Sequence, residues 1–154
     1  MRRPHWPGRV FKHAGVCHSS RMRHDEQWAR ERFAQARIAR LATVSGVGAP
    51  HLVPMVFALD DAKIISAVDH KPKSTMSLRR LDNIAMNPFV SVLVDDYDED
   101  WNQLWWARAD GWAAVHDSYD VEPLVQRYEQ YQQIRPGGAV IVIEVDHWSG
   151  WSAT

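Results

Sequence analysis

The chain has 154 residues, a net charge of −1 and 45% hydrophobic residues, which is ordinary for one globular domain with its own core. This charge provides no overall field to attract nucleic acid or an acidic membrane surface, and no apolar run has the length of a membrane helix, so we expect neither partner. The single cysteine, Cys17, excludes a disulfide within the chain, and we expect a cytoplasmic protein.

The N-terminal segment differs in composition from everything that follows. Its first twenty residues carry four basic residues and no acidic one, and prolines and glycines interrupt them. It lacks the apolar stretch of a secretory signal, so we interpret residues 1–24 as a flexible basic extension before one domain over 25–154. A natural start at Met22 and a basic arm that binds an acidic partner both stay open.

Regular hydrophobic patterns begin at Asp25 and predict about six strands and two or three helices. The helices are predicted after an Asp25 cap, over 74–88 and over 121–134; the strands are predicted at 38–44, 51–59, 63–68, 89–97, 105–117 and 139–148. Short turns join most successive strands, so the strands should pair antiparallel, and no β-α-β alternation supports a Rossmann sheet. A small barrel with helices packed outside fits this order.

Two residues interrupt the strand patterns. Pro54 lacks a backbone N–H, which indicates a sheet edge, a bulge or a backbone that faces something other than a neighbouring strand. Gly111 predicts a bend within the long strand 105–117.

Familiar catalytic motifs are missing from the sequence. There is no Walker-type phosphate loop or G-x-G-x-x-G, and the segment SGVGAP (45–50) lies between two strands, where a hairpin turn is the better interpretation. The histidines do not have the spacing of metal ligands, so we expect no metal site. No serine, cysteine or lysine stands in a recognisable nucleophile motif.

The stretch VDHKPKST (68–75) holds the strongest local signal. Lys71 and Lys73 follow a predicted strand and precede a predicted helix, where free backbone N–H groups and the positive end of the helix dipole favour an anion. Pro72 stiffens the loop between the two lysines. A phosphate site and a solvated turn are the two interpretations of this loop.

The element order, together with the stretches AVDHKPK, VDDYDEDW, LWWARADG and DHWSGWS, resembles the flavin-reductase-like split-barrel proteins. This superfamily includes the pyridoxamine 5′-phosphate oxidases and the oxidoreductases that use the deazaflavin coenzyme F420. The likeness spans about residues 25–152 and is strongest to an actinobacterial F420-dependent group. It implies a mainly β (α+β) fold of the FMN-binding split-barrel type: a six-stranded antiparallel split β-barrel with two or three flanking helices. It also implies a homodimer with cofactor sites at the subunit interface.

The resemblance also implies which residues contact the cofactor. They are Thr43, His51, Val53, Pro54, Val56, Ser66, Ala67, Lys71, Lys73, Trp105 and Trp106. The strand from His51 would run along the ring, and the two lysines would hold the phosphate. Trp106 stands where the oxidases have a glutamine, which disfavours pyridoxamine phosphate as the substrate. His51, His70 and Arg108 are the candidates for polarising an acceptor or supplying a proton.

The function expected from this likeness is that of an F420-dependent oxidoreductase, which passes a hydride between the deazaflavin and an unsaturated or conjugated small molecule. An FMN-dependent oxidoreductase on the same barrel is one alternative. A non-catalytic protein that binds F420, flavin or heme is another.

Overall fold

The structure, a computed structural model, describes residues 22–68 and 75–154. His70, Lys71 and Lys73 therefore lie outside the described residues. The elements within these ranges are β1 (Met22–His24), α1 (Glu26–Gln35), β2 (Ala39–Val44), β3 (Pro50–Met55), β4 (Ala58–Asp60), β5 (Lys63–Ala67), α2 (Thr75–Met86), β6 (Phe89–Asp96), a 3-10 helix (Trp101–Gln103), β7 (Trp105–His116), α3 (Glu122–Arg127), α4 (Glu129–Gln133) and β8 (Val140–Ser152).

One antiparallel sheet contains all eight strands of these two ranges. The order is β3-β2-β6-β7-β8-β5-β4, and β1 pairs with the last residues of β8. The mainly β split-barrel class is confirmed, although the strand count is eight rather than the predicted six. No helix in the described ranges is both long and apolar enough to cross a membrane.

The first additional strand arises because the predicted strand 51–59 divides in two. Its first half, β3, pairs with β2, and its second half, β4, pairs with β5. A single run of chain therefore occupies both ends of the sheet and joins them covalently. Phe57 and Ala58 are both buried at this break, so the alternation of a single strand is lost there.

A tyrosine from the helical layer provides hydrogen-bond partners for the backbone at the break. The N–H of Phe57 donates to the hydroxyl oxygen of Tyr128 at 3.1 Å, and the same oxygen lies 2.8 Å from the carbonyl oxygens of Phe57 and Arg37. Tyr128 is 6% exposed, so its hydroxyl supplies these backbone groups with hydrogen-bond partners at a position that water does not reach. Tyr128 also separates α3 from α4, where one helix over 121–134 was predicted.

The second additional strand, β1, changes the predicted boundary of the extension. Met22 pairs with Ser152 and His24 with Gly150, and the His24 ring stacks on Trp28 with the ring centroids 3.9 Å apart. Residues 22–24 therefore belong to the sheet rather than to the extension. A strand of three residues is too short to show a hydrophobic period in the sequence, so only the pairing with β8 defines β1.

The sheet buries side chains on both faces. The larger cluster lies on its inner face and includes Phe33 of α1, Leu41, Ile64 and Val92. The second cluster packs α3 and α4 against the opposite face of β4, β5 and β8; its members are Ala58, Ile65, Ala67, Leu124, Val125, Tyr128, Tyr131, Val140 and Val142. The alternation along each strand decides which cluster a residue joins.

The predicted bend at Gly111 is confirmed. The register between β7 and β8 shifts between Asp110 and Gly111. A Cβ atom on residue 111 would lie 2.2 Å from the carbonyl oxygen of Glu144, so the close approach of the two strands requires glycine.

Candidate functional site

The strand β3 lies at the end of the sheet order and offers an open edge. In the ranges that the structure describes, β2 is its one hydrogen-bonded neighbour. Pro54 therefore stands on an edge strand, where a missing N–H is tolerated. Along β3, His51, Val53 and Met55 are more buried than the residues between them, so they share the inner face of the sheet.

A polar corner, formed by Thr43, His51 and Asn83, closes this end of the inner face. Thr43 is 1% exposed and Asn83 is 5% exposed, and the Asn83 amide Nδ2 donates to Thr43 Oγ1 at 2.9 Å. Thr43 and His51 stand directly opposite each other in the pairing of β2 with β3. Thus β2, β3 and α2 each contribute one side chain to the polar corner.

The ring nitrogen Nδ1 of His51 is the unusual atom of this corner. It is buried, and within residues 22–68 and 75–154 it has no hydrogen-bond partner. A buried polar atom without a partner costs about 1–3 kcal/mol, so a polar group placed next to it would be stabilised. The Thr43 hydroxyl, which accepts a bond from Asn83, still has its own proton to donate. The corner therefore holds one hydroxyl proton and one ring nitrogen that form no hydrogen bond within the described ranges.

Ser66 and Ala67, predicted together as contacts of the ribityl-phosphate chain, face opposite sides of the sheet. Ser66 is 3% exposed and its Oγ donates to the carbonyl oxygen of Val56 at 2.8 Å. Ala67 packs into the cluster under α3 and α4. Consequently only one of these two side chains can face a given ligand, and the other can contribute only its backbone.

Trp105 and Trp106 are separated in the same way. Trp105 packs against the inner cluster, with an edge-to-face contact to Trp28 at 6.2 Å and the Arg32 guanidinium 5.0 Å from its ring centre. Trp106 points to the outer face, where it pairs with Trp151 of β8. Both side chains are only partly buried, and both line the cleft described below.

Arg108 lies on the outer face beside Trp106. Its guanidinium carbon is 6.0 Å from the Trp106 ring centre, and its Nε donates to Asp110 Oδ2 at 3.0 Å. The ion pair with Asp110 orients Arg108, so a role in polarising an acceptor would have to use its remaining N–H groups.

An open cleft of about 430 Å³, which we call the tryptophan cleft, occupies this end of the outer face. Its walls include Leu93, Tyr97, Leu104, Trp106, Arg108 and Trp151. This volume lies within the range of small-molecule sites, and the walls are mainly aromatic and aliphatic.

One chain does not bring the polar corner and the tryptophan cleft together. Leu52, next to His51, lies in one row with Ala42, Ser91 and Asp110 across four strands. Trp106 is four residues further along β7, so strand geometry places the two regions roughly 20 Å apart. Residues expected around one cofactor are therefore divided between two regions of the same chain.

Asn83 is the member of the corner that sequence reasoning missed. It was seen only as part of the amphipathic pattern of 74–88, although it adjoins Ile84, which is 3% exposed. An asparagine beside the apolar stripe of a helix is the signal that could have identified it, since a buried amide needs a partner. In the described ranges, no group of three or more His, Cys, Asp or Glu residues could hold a metal ion.

Comparison with known proteins identifies the family. The sequence profile of the pyridoxamine 5′-phosphate oxidase family matches residues 26–152, from the start of α1 to the end of β8. The chain belongs to this family. No curated protein matches the chain. The oxidase-like superfamily predicted from the sequence is confirmed, whereas the finer F420-dependent group stays a prediction.

Solved structures share the fold of this pyridoxamine 5′-phosphate oxidase family member at low identity. A FAD-binding protein from Mesorhizobium loti is 20% identical with a TM-score of 0.65, over 88% of this chain and 99% of the other. A conserved hypothetical protein from Mycobacterium tuberculosis is 22% identical with a TM-score of 0.63, over 84% and 86%. The FAD-binding protein from Mycobacterium smegmatis is 12% identical with a TM-score of 0.60, over 86% and 97%.

Proposed function

We propose that this family member is an oxidoreductase that binds a tricyclic redox cofactor along β3, with coenzyme F420 as the first candidate. Its acceptor would be an unsaturated or conjugated small molecule. The observation that carries the proposal is the buried Nδ1 of His51, which has no partner in the described ranges and lies on the strand expected to run along the cofactor ring.

The residues of the polar corner fit such a group. His51 and the Thr43 hydroxyl can bond to polar atoms of a ring, and Val53 on the same face offers apolar contact. The open edge of β3 leaves its backbone free to approach a ligand. A bound flavin or deazaflavin would supply the hydride chemistry, while the protein binds and orients it against the acceptor. The phosphate site at Lys71 and Lys73 lies outside the described residues and stays part of the proposal.

A flavin is the second candidate cofactor, as an FMN-dependent oxidoreductase would require. Two structural neighbours, 20% and 12% identical, are named as FAD-binding proteins, which supports a flavin-type cofactor as this second candidate. Coenzyme F420 is favoured only by the likeness of stretches such as AVDHKPK and LWWARADG. A non-catalytic binder of F420, flavin or heme would bind its ligand without turning over any acceptor.

We also propose that the protein works as a homodimer. The outer face of β6, β7 and β8 leaves Leu93, Trp106 and Trp151 only partly buried within one chain. A second copy on this face would bury them and could bring the Trp106 of one subunit to the polar corner of the other. In this arrangement the polar corner and the tryptophan cleft, which lie apart in one chain, would meet across the subunit interface.

The proposal is tested by fluorescence titration of the purified protein with F420, FMN and FAD. We expect one of the three to bind at micromolar concentration or below, and the His51→Ala variant to lose roughly tenfold in affinity, about 1.4 kcal/mol. His116→Ala is the matched control, because His116 is an exposed histidine at the far end of β7. The proposal fails if none of the three cofactors binds or if the two variants lose affinity equally.

A further inference from the structure

Asn83 is a member of the polar corner to which the proposed function gives no role. It lies on α2, is 5% exposed, and its amide Nδ2 donates to Thr43 Oγ1 at 2.9 Å. The next residue, Ile84, belongs to the apolar cluster on the inner face of the sheet. An amide at such a position is costly to bury unless it forms hydrogen bonds, so the bond to Thr43 accounts for the asparagine.

The direction of this hydrogen bond determines what Thr43 can offer to a ligand. A hydroxyl has one proton to donate and two lone pairs with which to accept. Because the Asn83 amide donates, it occupies a lone pair of Thr43 Oγ1, and the hydroxyl proton points to another atom. Thr43 is 1% exposed, so water does not reach it, and the partner of this proton must enter the inner face of the sheet.

His51 places a second group beside this hydroxyl. His51 and Thr43 stand directly opposite each other in the pairing of β3 with β2, where Cβ atoms lie about 4.5–5.5 Å apart. The Nδ1 atom of His51 is buried and has no partner in residues 22–68 and 75–154. With the ring proton on Nε2, Nδ1 is an acceptor. The two residues then present a donor and an acceptor side by side.

A cyclic imide carries the complementary pair of groups. Its carbonyl oxygen accepts a hydrogen bond, and the N–H next to that carbonyl donates one. The pyrimidinedione ring, which flavins share with deazaflavins, has this pair along one edge. The middle ring, in which the two cofactors differ, presents no such pair when it is oxidised. The polar corner is therefore suited to the part of the ring system that both candidate cofactors have in common.

We propose that the polar corner binds the imide edge of the cofactor ring and that Asn83 is the positioning residue that makes Thr43 a donor to this edge. Thr43 Oγ1 donates to the ring carbonyl, and His51 Nδ1 accepts from the adjacent N–H. Asn83 acts through Thr43 and does not itself contact the cofactor. This inference rests on the proposed function, because it requires a cofactor on the inner face of β3.

A methyl group on the imide nitrogen tests the assignment of His51 from the side of the ligand. The probes are F420, FMN and FAD, each with and without this methyl group, in fluorescence titrations of the purified protein. We expect methylation to weaken binding to the wild-type protein roughly tenfold, because it removes the N–H. It should cost much less in His51→Ala, which has no acceptor there to lose. His116→Ala is the control, because His116 is exposed at the far end of β7, and it should respond as the wild type does.

Asn83→Asp tests the positioning role, because a carboxylate accepts hydrogen bonds and so draws the Thr43 proton away from the ring. We expect a loss of roughly tenfold in cofactor affinity, as for Thr43→Val, and no further loss when the two are combined. Thr43→Ser, which restores the hydroxyl, should recover most of the affinity. Asn87→Asp is the matched control on α2 and its end, because Asn87 Oδ1 accepts from the backbone N–H of Phe89, which an aspartate can also do.

The visible absorption band of the bound cofactor separates a positioning role from a merely structural one. Thr43→Val and Asn83→Asp should shift this band equally, since both remove the same bond to the ring carbonyl, and Thr43→Ser should restore it. Losses in affinity that add, a band that does not move, or an equal cost of methylation in the wild type and His51→Ala would overturn the inference. A wild-type protein that binds none of the three cofactors overturns the proposed function as well, so the two failures are distinguishable.

Discussion

Single residues determine how the inner face of β3 is used. Thr43, His51 and Asn83 come from three elements, and two of them satisfy each other. His51 keeps a buried nitrogen without a partner in the described ranges. A polar corner that is only partly satisfied is less stable than an apolar one, and this cost supports our proposal that the corner binds a ligand.

The hydrogen bond from Asn83 to Thr43 can be measured by a double-mutant cycle. Thr43→Val or Asn83→Leu alone leaves one buried polar group without its partner, which should cost about 1–3 kcal/mol of unfolding free energy. The double variant should be less destabilised than the sum of the two by about 1 kcal/mol. Urea denaturation gives these values, and strict additivity would show that the bond does not contribute to stability.

Lys73 is the residue on which the phosphate assignment depends. It follows a strand and precedes a helix, so the loss of its ammonium should remove a charge-assisted contact. We expect Lys73→Ala to weaken cofactor binding on the order of tenfold to a hundredfold. Lys63→Ala is the control, because Lys63 is paired with Glu144 at 3.6 Å, at the opposite end of β5. Unchanged affinity in a fluorescence titration would refute the assignment of Lys73.

Among the elements, the break between β3 and β4 is the point where one run of chain connects the two ends of the sheet. At this break the hydroxyl of Tyr128 forms hydrogen bonds with the backbone of Phe57 and Arg37. The same tyrosine divides the third helical region into α3 and α4. One side chain thus links the helical layer to the closure of the barrel.

Tyr128→Phe tests this link. Removing the hydroxyl leaves the buried N–H of Phe57 without its partner and should lower the unfolding free energy by about 1–3 kcal/mol. Tyr97→Phe, at a tyrosine that is 66% exposed, should change it by less than about 0.5 kcal/mol. Thermal unfolding of the two variants compares them directly, and equal melting temperatures would show that the break does not need Tyr128.

For the whole molecule, the proposal of a dimer rests on the separation of the polar corner from the tryptophan cleft within one chain. Sedimentation equilibrium should give twice the chain mass of 17.7 kDa. Leu93→Arg should shift the protein toward the monomer, because Leu93 is flanked by Arg40 and Arg108 in its row, and a third cation there would oppose burial. Ile134→Arg, at a residue that is 72% exposed after α4, should leave the mass unchanged. A monomer of wild-type protein at all concentrations would rule the dimer out.

The sequence predicted most strands of this molecule because alternation is a local property. The strands β2, β5, β6 and β7 begin and end within about one residue of their predicted bounds. The division of 51–59 and the strand β1 escaped prediction because both depend on distant partners, β5 in one case and β8 in the other. A hydrophobic period can be recognised within one segment of sequence, whereas the distant strand with which that segment pairs cannot.

The candidate site was only partly predictable for the same reason. His51 was chosen by likeness to the family, and its buried nitrogen then gave an independent reason to keep it. Alternation alone could have shown that Ser66 and Ala67, or Trp105 and Trp106, face opposite sides of the sheet. That Asn83 meets Thr43 could not be predicted, because 40 residues separate them and only the packing of α2 on β2 brings them together.

The most direct measurement is a crystal structure of the protein with the cofactor that the titration selects. We predict that the ring of that cofactor lies along β3, with one of its polar atoms within hydrogen-bond distance of His51 Nδ1. A cofactor bound elsewhere, with the same nitrogen still lacking a partner, would contradict it.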